Sequence, residues 1–313
     1  MSILRPTQEN IESTAEELAS GKIVGFPTET VYGLGCNTFD KNAIGLVYNT
    51  KGRPKNNPMI AHVLSVSWVN KLTSSWSKDC ELLIKHFWPG PLTLVLPKKN
   101  TVPKEACGGK ETIAIRCPGH PVAQQLLEQF GGPISAPSAN KSGYISPTTA
   151  HHVENQFPGL IILDGGPCRT GIESTVLSMV GKPTILRPGI ITQQQLQALI
   201  GEVQQTTQTK QTESPGTTNK HYSPKSKTLL CSGEDIQKTD TKKSVVISFG
   251  AIKTQAKHQI KMPKDPVGYA TLLYAALYEA DTMSPEKILI EQPPTSKDWF
   301  ALQDRLRRCT SGE

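Results

Sequence analysis

The sequence predicts an α/β fold with a mixed parallel and antiparallel sheet, a linker and a second, smaller α/β unit. Three observations carry this. Short runs of strand-type residues alternate with segments of helical period, the pattern of strands crossed over by helices. Some connections, such as Met179 to Thr184, have only hairpin length, so part of the sheet must be antiparallel. Finally, the stretch from Gln204 to Asn219 turns to Gln, Thr, Ser and Pro with few apolar residues, too polar to bury a core. A chain of 313 residues is long for a single core. The expected division is residues 1–202, a linker over 203–226, and a small unit over 227–313.

Each element has a local reason. Residues 7–20 read as an amphipathic helix with Ile11, Ala15, Leu18 and Ala19 on one face, Thr7 as cap and Gly21 as stop. The run Ile23, Val24, Phe26 reads as a strand halted by Pro27, which has no N–H to donate. Thr28, Glu29 and Thr30 follow, then Gly33-Leu34-Gly35, read as a turn. Asp40 caps a helix that puts Ala43, Ile44, Val47 and Tyr48 on one face. Directly behind it comes a basic loop, Lys51-Gly52-Arg53-Pro54-Lys55, and then a strand from Met59 to Leu64. Farther on, Asp79 to Phe87 and Pro121 to Phe130 read as helices, and Leu92 to Leu96, Thr112 to Arg116 and Ile134 to Pro137 as strands. Ser146 to Thr149 introduces a helix that carries His151 and His152. Leu160 to Leu163, Ser174 to Met179 and Thr184 to Arg187 complete the first unit as strands. The second unit offers strands at Thr228 to Cys231, Ser244 to Phe249 and Lys287 to Ile290. A helix from Pro266 to Asp281 and a terminal helix accompany them.

Composition excludes several classes. The longest apolar runs are far shorter than a membrane span and no signal-type segment opens the chain, so the expected location is cytoplasmic with no membrane contact. A net charge of +7 suits anionic ligands such as nucleotides or RNA. The seven cysteines form no C-x-x-C pair, and no histidine cluster has ligand spacing, so neither a zinc site nor a disulfide framework is expected. No phosphate-binding P-loop occurs: Gly109-Lys110 is followed by Glu111. Gly33-x-Gly35 lacks the third glycine of a dinucleotide fingerprint, and no H-E-x-x-H or G-x-S-x-G pattern exists.

What remains is a set of cations and hydroxyls at predicted strand ends: Lys51, Arg53, Arg116 and Arg187, with Thr30, Ser138, Asn140, Ser146, Ser174 and Thr175. Arginine forks grip carboxylates and phosphates, and hydroxyls fill the remaining acceptor sites. Such residues bind a polyanion and a small polar molecule without a covalent nucleophile. Taken singly, Arg187 before Pro188 reads as a structural cap and His62 as a core histidine.

Seven segments stand here in an order that resembles the YrdC-like domain of threonylcarbamoyl-adenylate synthases: PTETVYGLG, KGRP, FWPGPLTLVL, IAIRCPGHPVA, SAPSANKSGYISPT, DGG-x-C-x-x-G-x-EST and ILRPG. The trailing SPG and HYSP, with the small second unit, resemble the two-domain form. The likeness is dense over residues 5 to 195. It implies a twisted, open mixed sheet with a basic concave face, followed by a Rossmann-like α/β domain. It implies a nucleotidyltransferase that condenses L-threonine, bicarbonate or CO2, and ATP with Mg2+ into threonylcarbamoyl-adenylate and pyrophosphate. Downstream threonylcarbamoyl-transfer proteins would load the product onto the adenosine beside the anticodon of tRNAs reading ANN codons; direct contact with tRNA is left open. By the same resemblance Thr30, His62, Arg116, Ala136 and Ser174 hold threonine, with Arg116 on its carboxylate. Lys51, Arg53, Asn57 and Thr112 hold ATP together with Ser138, Asn140, Ser146 and Arg187, and Lys51 and Arg53 meet the phosphates. The linker departs from the family run SPG-x-K-Y-R-H-Y-x-P, since Thr217 to Lys220 precede His221 and Tyr222. Those two residues are nonetheless expected to fold over the nucleotide. Two other readings stand beside this one: a non-catalytic module for double-stranded RNA, and a carbamoyl-transfer enzyme of the hydrogenase-maturation type. The latter would bring zinc-type C-x-x-C pairs that this chain lacks.

Overall fold

The computed structural model describes residues 2–205 and 221–310. The first unit begins with β1 (Ile3–Leu4), α1 (Gln8–Ala19), β2 (Val24–Phe26), β3 (Gly33–Asn37), α2 (Lys41–Lys51) and β4 (Ile60–His62). It continues through α3 (Ser67–Leu72), α4 (Lys78–Phe87), β5 (Leu92–Pro97), β6 (Thr112–Arg116), α5 (Pro121–Phe130) and β7 (Ile134–Ala136). Next come α6 (Ala150–Gln156), β8 (Ile162–Leu163), β9 (Thr175–Ser178), β10 (Thr184–Arg187), α7 (Gln193–Ile200) and β11 (Gln204–Gln205). Its strands form one sheet in the order β1-β8-β2-β3-β7-β4-β6-β5-β9-β10-β11. Parallel pairs (β4 with β6, β5 with β9) mix with antiparallel ones (β2 with β3, β5 with β6, β9 with β10). The mixed α/β sheet expected from the hairpin-length connections is therefore present.

The second unit comprises β12 (Lys227–Cys231), α8 (Gly233–Lys238), β13 (Ser244–Ser248), β14 (His258–Lys261), α9 (Pro266–Thr282), β15 (Lys287–Glu291) and α10 (Phe300–Thr310). Its four strands are all parallel, in the order β12-β15-β13-β14. The edge strand β14 is half-polar and partly exposed, which is why its sequence carries no clear strand signal.

Caps fall where side chains can satisfy open backbone donors: Thr7 accepts from Asn10, Asp40 from Asn42 and Ala43, and Thr149 from His152. One reading needs correction. Gly33-Leu34-Gly35 is not a turn but lies in β3, paired with β2. A Cβ at Gly33 would stand 2.9 Å from the Phe26 ring, and one at Gly35 would stand 2.8 Å from Ile134. The glycines make room for side chains packed across the strand rather than for a bend. Within the span expected to be linker, Gln204–Gln205 pair with β10. The SPG run and Thr217 to Lys220 lie outside the described residues.

Apolar clusters cover the sheet on both faces: Ile44, Val47 and Val153 in one and Leu83, Leu94 and Leu196 in another lie on the side of Leu34, while Leu18, Leu126 and Phe26 pack on the side that also carries Ile60 and His62. A further cluster joins Val31, Ile145 and Ile172 of the first unit to Tyr274, Leu277 and Leu306 of the second. The two units thus share apolar packing.

Candidate active site

The central strands carry the site on one face. In β4, Ile60 and His62 point the same way, as alternate strand residues must. His62 is opposite Arg116 of β6, and Ile60 opposite Ala136 of β7. These residues line a cleft of about 500 Å3 whose rim is completed by Thr28, Thr30, Ser138, Ser174, His221 and Tyr222. Arg53 and Arg187 also face it.

Arg187 reaches this face through an irregularity. Ile185 opposes Leu177, but Arg187 opposes Val176 rather than Thr175, because a bulge adds a residue to β10. Regular alternation would put Arg187 on the same side as Ile185, which is packed in the core with Leu177. The bulge turns it over. Its Nε and Nη2 then donate to the Ser174 carbonyl at 3.2 and 2.9 Å, and Nη2 also reaches Ser174 Oγ at 3.1 Å.

Arg116 is nearly fully buried and held in place on three sides. Its Nε donates to the Gly90 carbonyl (3.2 Å), Nη1 to Thr30 Oγ1 (2.8 Å), and Nη2 is ion-paired with Glu29 Oε1 at 2.7 Å. Glu29 in turn accepts from the Gly119 N–H, so the acid is fixed as well. Arg53 is fixed by Asn57: Nε donates to its carbonyl, Nη2 to its Oδ1 and to the Pro58 carbonyl. Burial lowers the Arg53 pKa to about 10, which leaves it charged at neutral pH.

Ten of the sixteen residues singled out from the sequence line the cleft, and Thr175 instead turns its hydroxyl to the Ile191 carbonyl. Asn57 stands behind Arg53. Lys51 lies one layer below the surface, buried, with Nζ donating to the carbonyls of Ser138 (2.5 Å) and Asn140. Burial, then the nearby Arg53, lowers its pKa. Lys51 therefore pins the loop that presents Ser138. Asn140 receives Ser138 Oγ at 2.5 Å and belongs to the same layer. Ser146 donates to Glu173 Oε1 at 2.6 Å. Thr112 is not brought to the cleft: it begins β6, about 13 Å of extended chain from Arg116 at its far end.

Glu173 escaped the sequence reading, although it stands beside Ser174 in the EST segment. It is the one carboxylate lining the cleft among the described residues, and it is buried. Burial pushes its pKa up, but Arg305, Arg187 and the Ser146 hydroxyl outweigh that and hold it at about 2. Tyr222 is also distinctive. It adopts φ 62°, rare for an aromatic residue, and its ring stacks on Tyr274 at 5.5 Å. Its hydroxyl, with Nδ1 of His62 and of His221, has no hydrogen-bond partner among the described residues. Buried polar atoms left open around a cleft mark where ligand groups complete the bonding. Burial lowers both histidines to about 3, so both are neutral donors or acceptors at physiological pH. Chemically, the cleft offers fixed cations, hydroxyls and neutral imidazoles.

No group of three or more metal-type side chains occurs among the described residues, and all seven cysteines are free thiols. No helix among the described residues is long and apolar enough to cross a membrane.

Comparison with known proteins bears on this geometry. Residues 16–189 match the Sua5/YciO/YrdC family, described as telomere recombination, and residues 191–311 match the threonylcarbamoyl-AMP synthase C-terminal domain. The chain is 36% identical to the threonylcarbamoyl-AMP synthase of Pyrococcus abyssi, over 99% of this chain and 98% of that one. To the threonylcarbamoyl-AMP synthase of Bacillus subtilis it is 37% identical, over 99% of this chain and 95% of that one. The crystal structure of P. abyssi Sua5 complexed with L-threonine superposes with a TM-score of 0.93, at 36% identity, covering 98% of this chain and 96% of that one. Two units that share a core and one basic cleft are thus matched along their whole length, and the chain belongs to the threonylcarbamoyl-AMP synthase family.

Proposed function

We propose that this protein is a nucleotidyltransferase that joins L-threonine, CO2 or bicarbonate, and ATP into L-threonylcarbamoyl-adenylate with release of pyrophosphate. One observation supports it above the rest: three buried arginines, Arg53, Arg116 and Arg187, face a cleft whose single lining carboxylate among the described residues already accepts from Ser146, Tyr274 and Arg305. Such a cleft suits a ligand set with an excess of negative charge. Arg116, backed by Thr30 and flanked by His62, offers a seat for the threonine carboxylate. Arg53 and Arg187 suit the triphosphate.

In the reaction the threonine amine adds to CO2, giving a carbamate and releasing a proton to solvent. A carbamate oxygen then attacks the α-phosphorus; the bond to the bridging oxygen breaks and pyrophosphate leaves. No protein nucleophile is needed. The work is positioning and stabilisation of charge on the phosphoryl oxygens, which fixed guanidinium groups provide without reorganising. Lys51 contributes by holding the Ser138 loop, and Asn57 by aiming Arg53. Mg2+ fits as an ion carried by the nucleotide: Glu173 already accepts from Ser146, Tyr274 and Arg305, and Mg2+ characteristically binds through substrate phosphates while keeping waters. His221 and Tyr222 cover the cleft and would shield the intermediate from water. The product would pass to threonylcarbamoyl-transfer proteins acting on tRNAs that read ANN codons.

The test is pyrophosphate release from ATP, Mg2+ and bicarbonate with and without L-threonine. Threonine-dependent release, poorly supported by serine, is expected. Absence of release from folded protein, with salt-sensitive RNA binding, would favour a binding module instead.

A further inference from the structure

Resting on the synthase reading above, we propose that Arg305, on the terminal helix of the second unit, is a positioning residue that ties together the two segments carrying Ser174 and Arg187.

Arg305 is fully buried and spans a gap in the first unit. Its Nε donates to Glu173 Oε2 at 2.9 Å, and its Nη2 donates to the Pro188 carbonyl at 2.8 Å. Glu173 immediately precedes Ser174 before β9, and Pro188 immediately follows Arg187 after β10. One planar fork thus bridges the two strand ends that deliver a hydroxyl and a cation to the cleft. Nη1 is anchored on Asp304 at 3.0 Å, and the Tyr222 ring lies over the guanidinium at 5.3 Å. A planar, rigid donor array suits this task; a single ammonium could reach one segment at a time.

Glu173 itself acts as a joint. Its Oε1 accepts from Ser146 Oγ at 2.6 Å, both oxygens face the Tyr274 hydroxyl at 3.0 and 3.2 Å, and Oε2 takes Arg305. With three donors on its two oxygens, one of them a guanidinium, it is committed to structure rather than to service as a base or a metal ligand. What it transmits is position, from Arg305 and Tyr274 to Ser146 and Ser174. The seam tolerates little slack: a Cβ at Gly189 would meet the Thr175 nitrogen at 2.4 Å and the Ser174 carbonyl carbon at 2.7 Å. By this arrangement the second unit completes the catalytic cleft of the first.

The full chain carrying Arg305→Met tests this. Three quantities are read: affinity for ATP and for L-threonine by calorimetry, amide exchange of residues 172–175 and 187–190, and Tm. The expected result is a loss of affinity for both ligands of about tenfold or more, the scale of a displaced charge-assisted hydrogen bond. Exchange should quicken in the two segments while α1 stays protected. Arg305→Lys should recover only part. A lower Tm with wild-type affinities and unchanged local exchange would overturn the proposal and leave a mere structural brace. Should Arg305→Met fail to fold, Tyr274→Phe, which keeps the ring and removes one donor to Glu173, decides: unchanged affinities and exchange would refute the joint. A wild-type protein that releases no pyrophosphate with threonine would strike the synthase reading alone, and the exchange measurement would still decide the role of Arg305.

Discussion

His62 is buried at 4% exposure beside Arg116, and burial first, then repulsion by that arginine, lowers its pKa to about 3. An unfolded chain takes up a proton at this histidine near pH 6.5, whereas the folded one does not until about pH 3. Its contribution to stability is therefore complete above pH 6.5 and lost as pH falls toward 3, at roughly 1.4 kcal/mol per pH unit. His221 acts in the same direction. Denaturant unfolding of His62→Gln between pH 4 and 6 should give a pH slope shallower than wild type by roughly 1.4 kcal/mol per unit; an identical slope would mean that His62 is protonated in the fold. Lys51 offers a second test. Its ammonium satisfies two loop carbonyls from beneath, so Lys51→Ala strips both and releases the Ser138 loop. Pyrophosphate release should fall by about a hundredfold or more, as for removal of one preorganised group. Near-normal turnover would show that the loop needs no such pin.

At the scale of elements, strand ends decide what reaches the cleft. The bulge in β10 places Arg187 opposite Val176, and Gly189 lets the chain turn back against the backbone of Ser174 and Thr175. A methyl at Gly189 would meet three backbone atoms, which cannot swing away as side chains do. Gly189→Ala should destabilise by about 1–3 kcal/mol through overpacking and raise KM for threonine more than it lowers Tm-matched kcat. A wild-type KM in this variant would uncouple the seam from binding. The same elements mark the limit of what sequence reading reaches. Helices with capped ends and regular apolar spacing, such as α1 and α2, were legible because their signals are local. Arg116 was legible as a cation at a strand end, whereas His62, which taken singly reads as a core histidine, came to the site by the resemblance alone; the register of β4 and β6 sets the two opposite each other. Arg187 was not legible as a cleft residue from alternation, because a bulge is set by pairing across strands and leaves no spacing signal. Gly33 and Gly35 were misread as a turn because their partners, Phe26 and Ile134, are distant in sequence. Glu173 carries no local signal, because its partner Arg305 lies more than a hundred residues away in the chain.

For the molecule as a whole, the question is whether the two units are separable. Val31, Ile145 and Ile172 of the first unit pack with Tyr222, Tyr274 and Leu306 in one buried cluster. Tyr278 donates to the Ile145 carbonyl, Tyr144 donates to Asp281, and the His152 ring stacks on Tyr278 at 3.9 Å. At Gly171 the chain runs so close to α9 that a Cβ would lie 2.3 Å from the Ala270 carbonyl oxygen. Cutting the chain after residue 205 would bare three large aliphatic side chains, at a cost of roughly 5 kcal/mol or more. It would also leave Glu173 buried or newly hydrated without its arginine. A chain of residues 1–205 is therefore expected to associate in light scattering and to lose most threonine-dependent pyrophosphate release. Adding the separate 206–313 chain should restore part of it, because the contacts that complete the cleft are surface-to-surface rather than covalent. A monomeric 1–205 fragment with full turnover would demonstrate that the first unit needs nothing from the second. Partial rescue in trans would instead identify the second unit as a working wall of the cleft, with Arg305 and Tyr274 as its points of contact.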